Sequence, residues 1–416
     1  MTSRAYLAAL QVRSYRWLLL NTFSLSAAWT AESIATGWLV LQLTDSPFWL
    51  GVLVAARGVS QLLFSVVGGT IVDRADTRRL LIRCQLFAVV IWATILLLVQ
   101  TGNIAIWHVA IAQIAGGMVN AVNGPASNAF TYVIVGPERM LNAKAFSFMA
   151  GSLFRIGSAL AGGYAIANLG LGACFVLVAG GYVLGVVSLL PINVAATMRT
   201  AEPPLQALLA GLRYAVRTPQ VKALLTLSLA TEALGFSYQW MLPVMARDVL
   251  QVGAVGLGYL AAAAGAGQLL AMIGLASVGD VRAKGRLLLG STGAFGLAIV
   301  CFAAAPTFPI ALLSVMVVGG AAAMYDSAMG TVIQMVVDPE MRGRVLGLLV
   351  ATFGSNQVSS FGLGTLATLW GAPLALGMCG VLVLANSLRL IPQLTMFDAV
   401  HEASSAPLSS NPRSPG

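Results

Sequence analysis

Apolar positions in this chain fall in long blocks, and polar and charged residues collect in short segments between them. Each block is of the order of 20 residues, the length a helix needs to cross the hydrocarbon of a bilayer. The pattern predicts spans at 17–41, 48–72, 80–100, 106–130, 145–168, 172–191, 221–243, 256–279, 287–305, 308–336, 344–369 and 373–391. Runs this long and this uniformly apolar do not suit barrel strands. Only helices satisfy the backbone of so many lipid-exposed segments. The expected fold is therefore an all-α membrane protein of twelve transmembrane helices.

Composition supports that class. The 416 residues are 58% hydrophobic and 9% charged, against roughly 25% charged in a soluble domain. The net charge of +9 would suit nucleic acid in a soluble protein, but its distribution argues otherwise. Of 23 Lys and Arg, all but Arg57, Arg155 and Arg247 lie at the termini or in the even-numbered loops. That asymmetry places both termini in the cytoplasm, beside anionic lipid. No cleavable signal peptide is expected, because Arg4, Arg13 and Arg16 lead into a long apolar block without a small-residue cleavage site. The four cysteines lie singly in apolar runs, and two histidines with no Cys/His/Asp cluster predict no metal site. No P-loop occurs, so ATP is not the direct energy source. No cofactor, enzymatic activity or nucleic-acid partner is expected.

The chain repeats itself. Asp73 to Arg79 corresponds to Asp280 to Arg286, and Pro137-Glu138-Arg139-Met140 to Pro339-Glu340-Met341-Arg342. This divides it into an N-terminal six-helix bundle at 1–191, a linker at 192–220, a second bundle at 221–391 and a tail at 392–416. In the linker, Leu205, Leu208, Leu209, Leu212 and Val216 recur at helical spacing beside Arg213 and Arg217, the pattern of an amphipathic helix on the membrane face or else a plain turn. The Ser- and Pro-rich tail reads as disordered.

Ionisable groups within spans are expensive, and each is a functional candidate. Glu32 and Glu232 occupy equivalent positions of the first and seventh spans. Two such acids facing one cavity suit proton or cation binding; paired with arginines they would lock helices instead. Asp326, at mid-depth in the tenth span, has Gly124 at its equivalent position. It is a candidate to neutralise Arg155, bind substrate or carry a proton. Arg57 and Arg155 each need an acidic partner or an anionic substrate. Trp29, Tyr238, Trp240 and Tyr325 are candidate cavity aromatics, Tyr238 and Trp240 reading otherwise as an interfacial belt. Asn120 and Asn123 line a cavity or cap a helix end.

The stretch Gly68-Gly69-Thr70-Ile71-Val72-Asp73-Arg74-Ala75-Asp76-Thr77-Arg78-Arg79, squeezed between two spans, resembles the loop between the second and third helices of the major facilitator superfamily, whose pattern runs roughly G-x-x-x-D-R-x-G-R-R. Here Asp76 stands at the usual glycine. The variant is similar to the branch of drug and siderophore exporters that includes the enterobactin exporter and macrolide-efflux-like proteins. Arg155-Ile156-Gly157-Ser158 through Gly162-Gly163 is similar to the fifth-helix motif of exporters, with Ser158 in place of its proline. Ser127 stands where relatives carry an arginine, so that role is not carried over. The resemblance implies two pseudo-symmetric bundles rocking about a central site. It also implies a gate at Gly69, Asp73, Arg74, Arg78 and Arg79, mirrored at Asp280 and Arg286, and close packing at Gly157, Gly162 and Gly163. The function it implies is a monomeric inner-membrane secondary transporter, exporting a small amphiphilic compound by proton antiport. Two alternatives are an importer of a small polar or anionic nutrient, and a non-transporting sensor or assembly factor.

Overall fold

The computed structural model describes residues 9–193, 204–278 and 283–392. Among them every regular element is helical. Six long helices come first: α1 (Arg13–Thr44), α2 (Pro47–Arg74), α3 (Thr77–Gln100), α4 (Ile106–Val135), α5 (Met140–Leu169) and α6 (Leu171–Leu189). An amphipathic helix, α7 (Pro204–Arg217), follows. The second half holds α8 (Pro219–Ala230), α9 (Tyr238–Val244), α10 (Gly253–Val278), α11 (Lys284–Ala303), α12 (Phe308–Val336), α13 (Arg342–Phe353), α14 (Ser355–Trp370) and α15 (Ala372–Arg389). Seven of these helices are long and apolar enough, by length and composition, to cross a membrane.

Local sequence explains the boundaries. Asp45 takes a left-handed conformation (φ 51°) at the end of α1, and Pro47 then opens α2, where its missing N–H costs nothing. Asp76 accepts a hydrogen bond from the Arg79 backbone at 3.1 Å. The residue that departs from the family's glycine is therefore the N-cap of α3. Arg78 donates through Nε to the Leu189 carbonyl at 3.0 Å and through Nη2 to Leu190 at 2.5 Å. It closes the C-terminus of α6, where unpaired carbonyls and the helix dipole favour a cation. Gly170 and Gly371 each make a one-residue turn between two helices, at φ 85° and 86°. They sit at matching places in the two halves, a further trace of the repeat.

Two predicted spans are interrupted. The seventh consists of α8, a π-helical turn at Thr231–Gly235, α9 and a second π-helical turn at Met245–Val249. The eleventh breaks at Gly354 into α13 and α14. At that break α2 comes close: a Cβ on Gly354 would lie 2.7 Å from Leu62 Cδ2.

Within the first half, α1 packs on α5 and α6, α2 on α4, and α3 on α6. Within the second, α12 packs on α10 and α11, and α11 on α15. The halves meet along two seams, α5 with α10 and α2 with α14. Glycines bring these backbones together. A Cβ on Gly51 would lie 2.4 Å from the Ser360 carbonyl oxygen, and one on Gly163 would lie 2.6 Å from that of Ala254. Gly364 and Gly258 make the reciprocal approaches. All four lie toward the face opposite the termini. Nearer the termini, α13 leaves the α2–α14 seam and packs on α7 and α8 instead. Tyr214 of α7 donates to Asp338 at 3.0 Å, so the amphipathic helix is tied to the second half.

Candidate functional site

Three adjoining cavities meet around Trp29, two of them between the halves and one walled by the first half. The first, of about 130 Å³, is lined by Trp29, Arg155, Phe236, Tyr238, Gln239, Leu257 and Gln268 among others. A second, of about 240 Å³, is lined by Leu25, Ser26, Trp29, Gln85, Val119, Asn120, Asn123, Arg155 and Tyr182. Both far exceed the ~15 Å³ of probe-occupied space that one water requires. Trp29 and Arg155 border both, so the two cavities meet at these side chains. A narrow third cavity reaches Glu32, Arg57, Gln113 and Trp240.

Glu32 of α1 sits at the centre of a buried network. One carboxylate oxygen accepts from Arg57 Nη1 of α2, and the other from the Tyr182 hydroxyl of α6 at 2.7 Å. Arg57 also donates to Gln113 of α4 at 3.1 Å. Four helices of the first half are thereby joined through one ion pair. The Glu32 and Arg57 side chains are 2% and 4% exposed, so water does little to screen them.

Arg155 is placed differently. It donates to Ser152 Oγ at 3.1 Å and, across the seam, to Gln268 Oε1 of α10 at 2.5 Å. Both partners are neutral. Among the described residues no carboxylate comes within 4.0 Å of it, so of the three roles open to Asp326 the neutralising of Arg155 is not seen here. Ser158, at the motif's proline position, donates to the Ala27 carbonyl at 2.6 Å and ties α5 to α1.

The acids of the second half are not equivalent to Glu32. Glu232 is buried in the π-helical turn, and its Oε1 has no hydrogen-bond partner. Thr231 Oγ1 and the Tyr325 hydroxyl, also buried, are likewise unpartnered. Asp326 is exposed on α12 although it lies in mid-helix. Tyr238 and Trp240 point inward rather than to an interfacial belt. Tyr238 lines the first cavity, and Trp240 donates through Nε1 to Asn356 at 3.2 Å.

Of the packing glycines, Gly163 makes a close approach, a Cβ on Gly162 would lie 3.4 Å from Cys174 Sγ, and one on Gly157 would meet nothing within 4 Å. Of the loop residues, Arg78 and Arg79 are positioned as given above, and Arg286 lies in the first turn of α11. The side chains of Gly69, Asp73 and Arg74, and the whole of Asp280, lie outside the described residues.

Sequence reasoning did not single out Gln85, Gln113, Tyr182, Gln239 or Gln268. Its search inside the spans was for ionisable groups, and neutral amides in apolar helices were the signal that would have found most of them. It also treated Arg247 only as an outlier of the charge rule. Arg247 donates to the Leu41 carbonyl at 2.5 Å, to Asp248 at 2.5 Å and to Asp45. It thus holds the end of α1 to the second half on the face opposite the termini.

This arrangement of two groups of helices about a polar chamber has direct counterparts. Residues 4–414 match the transmembrane secretion effector family of the major facilitator superfamily. The chain belongs to this family. It is a membrane transporter and not an enzyme. Among curated relatives of this transporter, the enterobactin exporter EntS of Shigella flexneri is 24% identical over 376 residues, covering 86% of the chain and 90% of the relative. The enterobactin exporter EntS of Escherichia coli O1:K1 is 24% identical over 380 residues, with the same coverage. Among solved structures, the nucleoside transporter NupG superposes with a TM-score of 0.76 at 11% identity, over 91% of this transporter and 98% of NupG. A bacterial homologue of the human lysosomal transporter Spinster, inward-facing and unoccupied, superposes with a TM-score of 0.67 at 14% identity, over 97% and 98%. At these identities the superpositions establish the fold alone.

Proposed function

We propose that this transporter is a proton-coupled exporter of a small amphiphilic organic compound, working as a monomer by alternating access. In this reading twelve helical segments cross the bacterial inner membrane, the interrupted seventh and eleventh each counting once. Both termini are cytoplasmic, and the halves 1–191 and 221–391 rock about the seams through the linker at 192–220. The observation that carries the reading is the asymmetry of closure. On the face opposite the termini the halves are held by the Gly51–Ser360 and Gly163–Ala254 approaches and by Arg247. Toward the termini α13 diverges from the seam, and Asp326 is exposed in mid-helix. A chamber sealed on one side and reached from the other is one end state of such a cycle. In that state substrate enters from the cytoplasm.

Coupling is assigned to Asp326 and Glu232. Neither has a compensating cation among the described residues. The buried, partnerless Oε1 of Glu232 is costly unless the group binds a proton, and Asp326 stands exposed in mid-helix, where a proton can reach it. Glu32 is satisfied by Arg57 and Tyr182, which suits a fixed support of the first half. Asp73 is proposed to close the cytoplasmic side in the opposite state, against the N-terminus of α13. The relatives named as enterobactin exporters support the outward direction and an organic cargo.

The test is transport in everted membrane vesicles from an efflux-deficient bacterium, with a panel of dyes, antibiotics and metallophores. Accumulation that collapses with an uncoupler is expected. Uptake of a solute by intact cells, with no vesicle accumulation, would instead establish an importer.

A further inference from the structure

We infer that Arg155 is the anchor for a planar anionic group, such as a carboxylate, on an aromatic amphiphile that occupies both large cavities. The inference rests on the transport reading for the chamber's role, but binding alone can test it. Two arginines lie deep within the spans, away from their ends, and they differ in one respect. Arg57 has its own carboxylate, Glu32. Among the described residues Arg155 has the neutral Ser152 and Gln268 and no carboxylate. A cation in the low-dielectric centre of a membrane protein is costly when uncompensated. Its guanidinium presents donors in the fork geometry that matches a carboxylate. Arg155 also stands where the cavities meet. On one side are the rings of Phe236 and Tyr238, suited to a flat apolar body. On the other are the amides of Gln85, Asn120 and Asn123, suited to polar substituents. Asn123 Oδ1 is buried without a partner, so that side has an unused acceptor.

The position of Gln268 adds a consequence. It belongs to α10, and its bond to Arg155 crosses the α5–α10 seam. A ligand anion that accepts from the guanidinium takes the place of that amide. Binding thereby removes a tie between the halves and favours their movement.

The experiment compares 2-naphthoate with 2-naphthamide, an acid and its neutral isostere, by calorimetry on the full chain in lipid nanodiscs. The acid should bind at least tenfold more tightly. Arg155→Gln should abolish this preference, and Arg155→Lys should restore part of it. Gln268→Glu, which supplies Arg155 with a carboxylate of its own, should lower acid affinity at least tenfold without touching the arginine. Equal binding of acid and amide, binding of neither, or a preference that survives Arg155→Gln would overturn the inference. Acid preference without proton-dependent transport in vesicles would leave the anchor standing and defeat only the export reading. The converse result would defeat only the anchor.

Discussion

Glu32→Gln is the most informative single change in the buried network of the first half. The native carboxylate accepts from Arg57 and from Tyr182, and both charged side chains are almost wholly buried. The amide retains the shape and one acceptor, so packing is little altered. What disappears is the charge that offsets Arg57. The guanidinium keeps Gln113 as a partner, but that amide is neutral. Removing one member of a buried pair costs about 3–5 kcal/mol, because the other charge is left uncompensated. Replacing both members by apolar residues of similar volume is often close to neutral. Glu32→Gln should therefore lose about 3–5 kcal/mol, and Glu32→Leu/Arg57→Met should recover most of it. The assay is unfolding in mixed micelles by increasing SDS fraction, followed by tryptophan fluorescence, for both singles and the double variant. A Glu32→Gln protein within about 1 kcal/mol of native, or a double variant no more stable than the worse single, would refute the lock. The same proteins in vesicles separate support from coupling. If the doubly apolar variant still accumulates substrate uphill, Glu32 carries no proton.

Three further outcomes follow from the geometry. Asp326→Asn should abolish uphill accumulation while substrate exchange at equal concentrations persists, measured in proteoliposomes with and without a pH gradient; unchanged uphill transport would remove Asp326 from coupling. Gly163→Val should disrupt the α5–α10 seam, since even its Cβ would fall 2.6 Å from a carbonyl oxygen, whereas Gly157→Ala in open space should be tolerated. Labelling of cysteines placed on the face opposite the termini checks this, and equal labelling in both variants would count against closure at that seam. Asp76→Ala removes the N-cap of α3 and should cost about 1 kcal/mol, read as a lower unfolding midpoint, with Asp76→Asn restoring most of it.

Much of the architecture follows from composition and periodicity. A chain with so few charges cannot cover a water-facing surface, so long apolar helices were the one available solution. The duplication was legible in the Asp73 and Asp280 stretches, and the superfamily in the pattern from Gly68 to Arg79. The interruptions were less visible. Nothing in the local hydropathy at Thr231–Gly235 distinguishes a π-helical turn from an α-helical one, because the choice depends on how that turn packs against α14 and α15.

The site divides in the same way. The sequence by itself determined which residues were costly in a membrane, and so named Glu32, Arg57, Arg155, Glu232 and Asp326. It could not decide which of them compensate one another, since opposite charges on different helices pair only through helix rotation and depth. Tertiary packing gave Arg57 to Glu32 and left Arg155 with an amide from the other half. It turned the equivalent acids Glu32 and Glu232 into a paired group and an unpaired one. Period and composition report the energy of placing one residue in lipid, whereas compensation is a property of distances between helices.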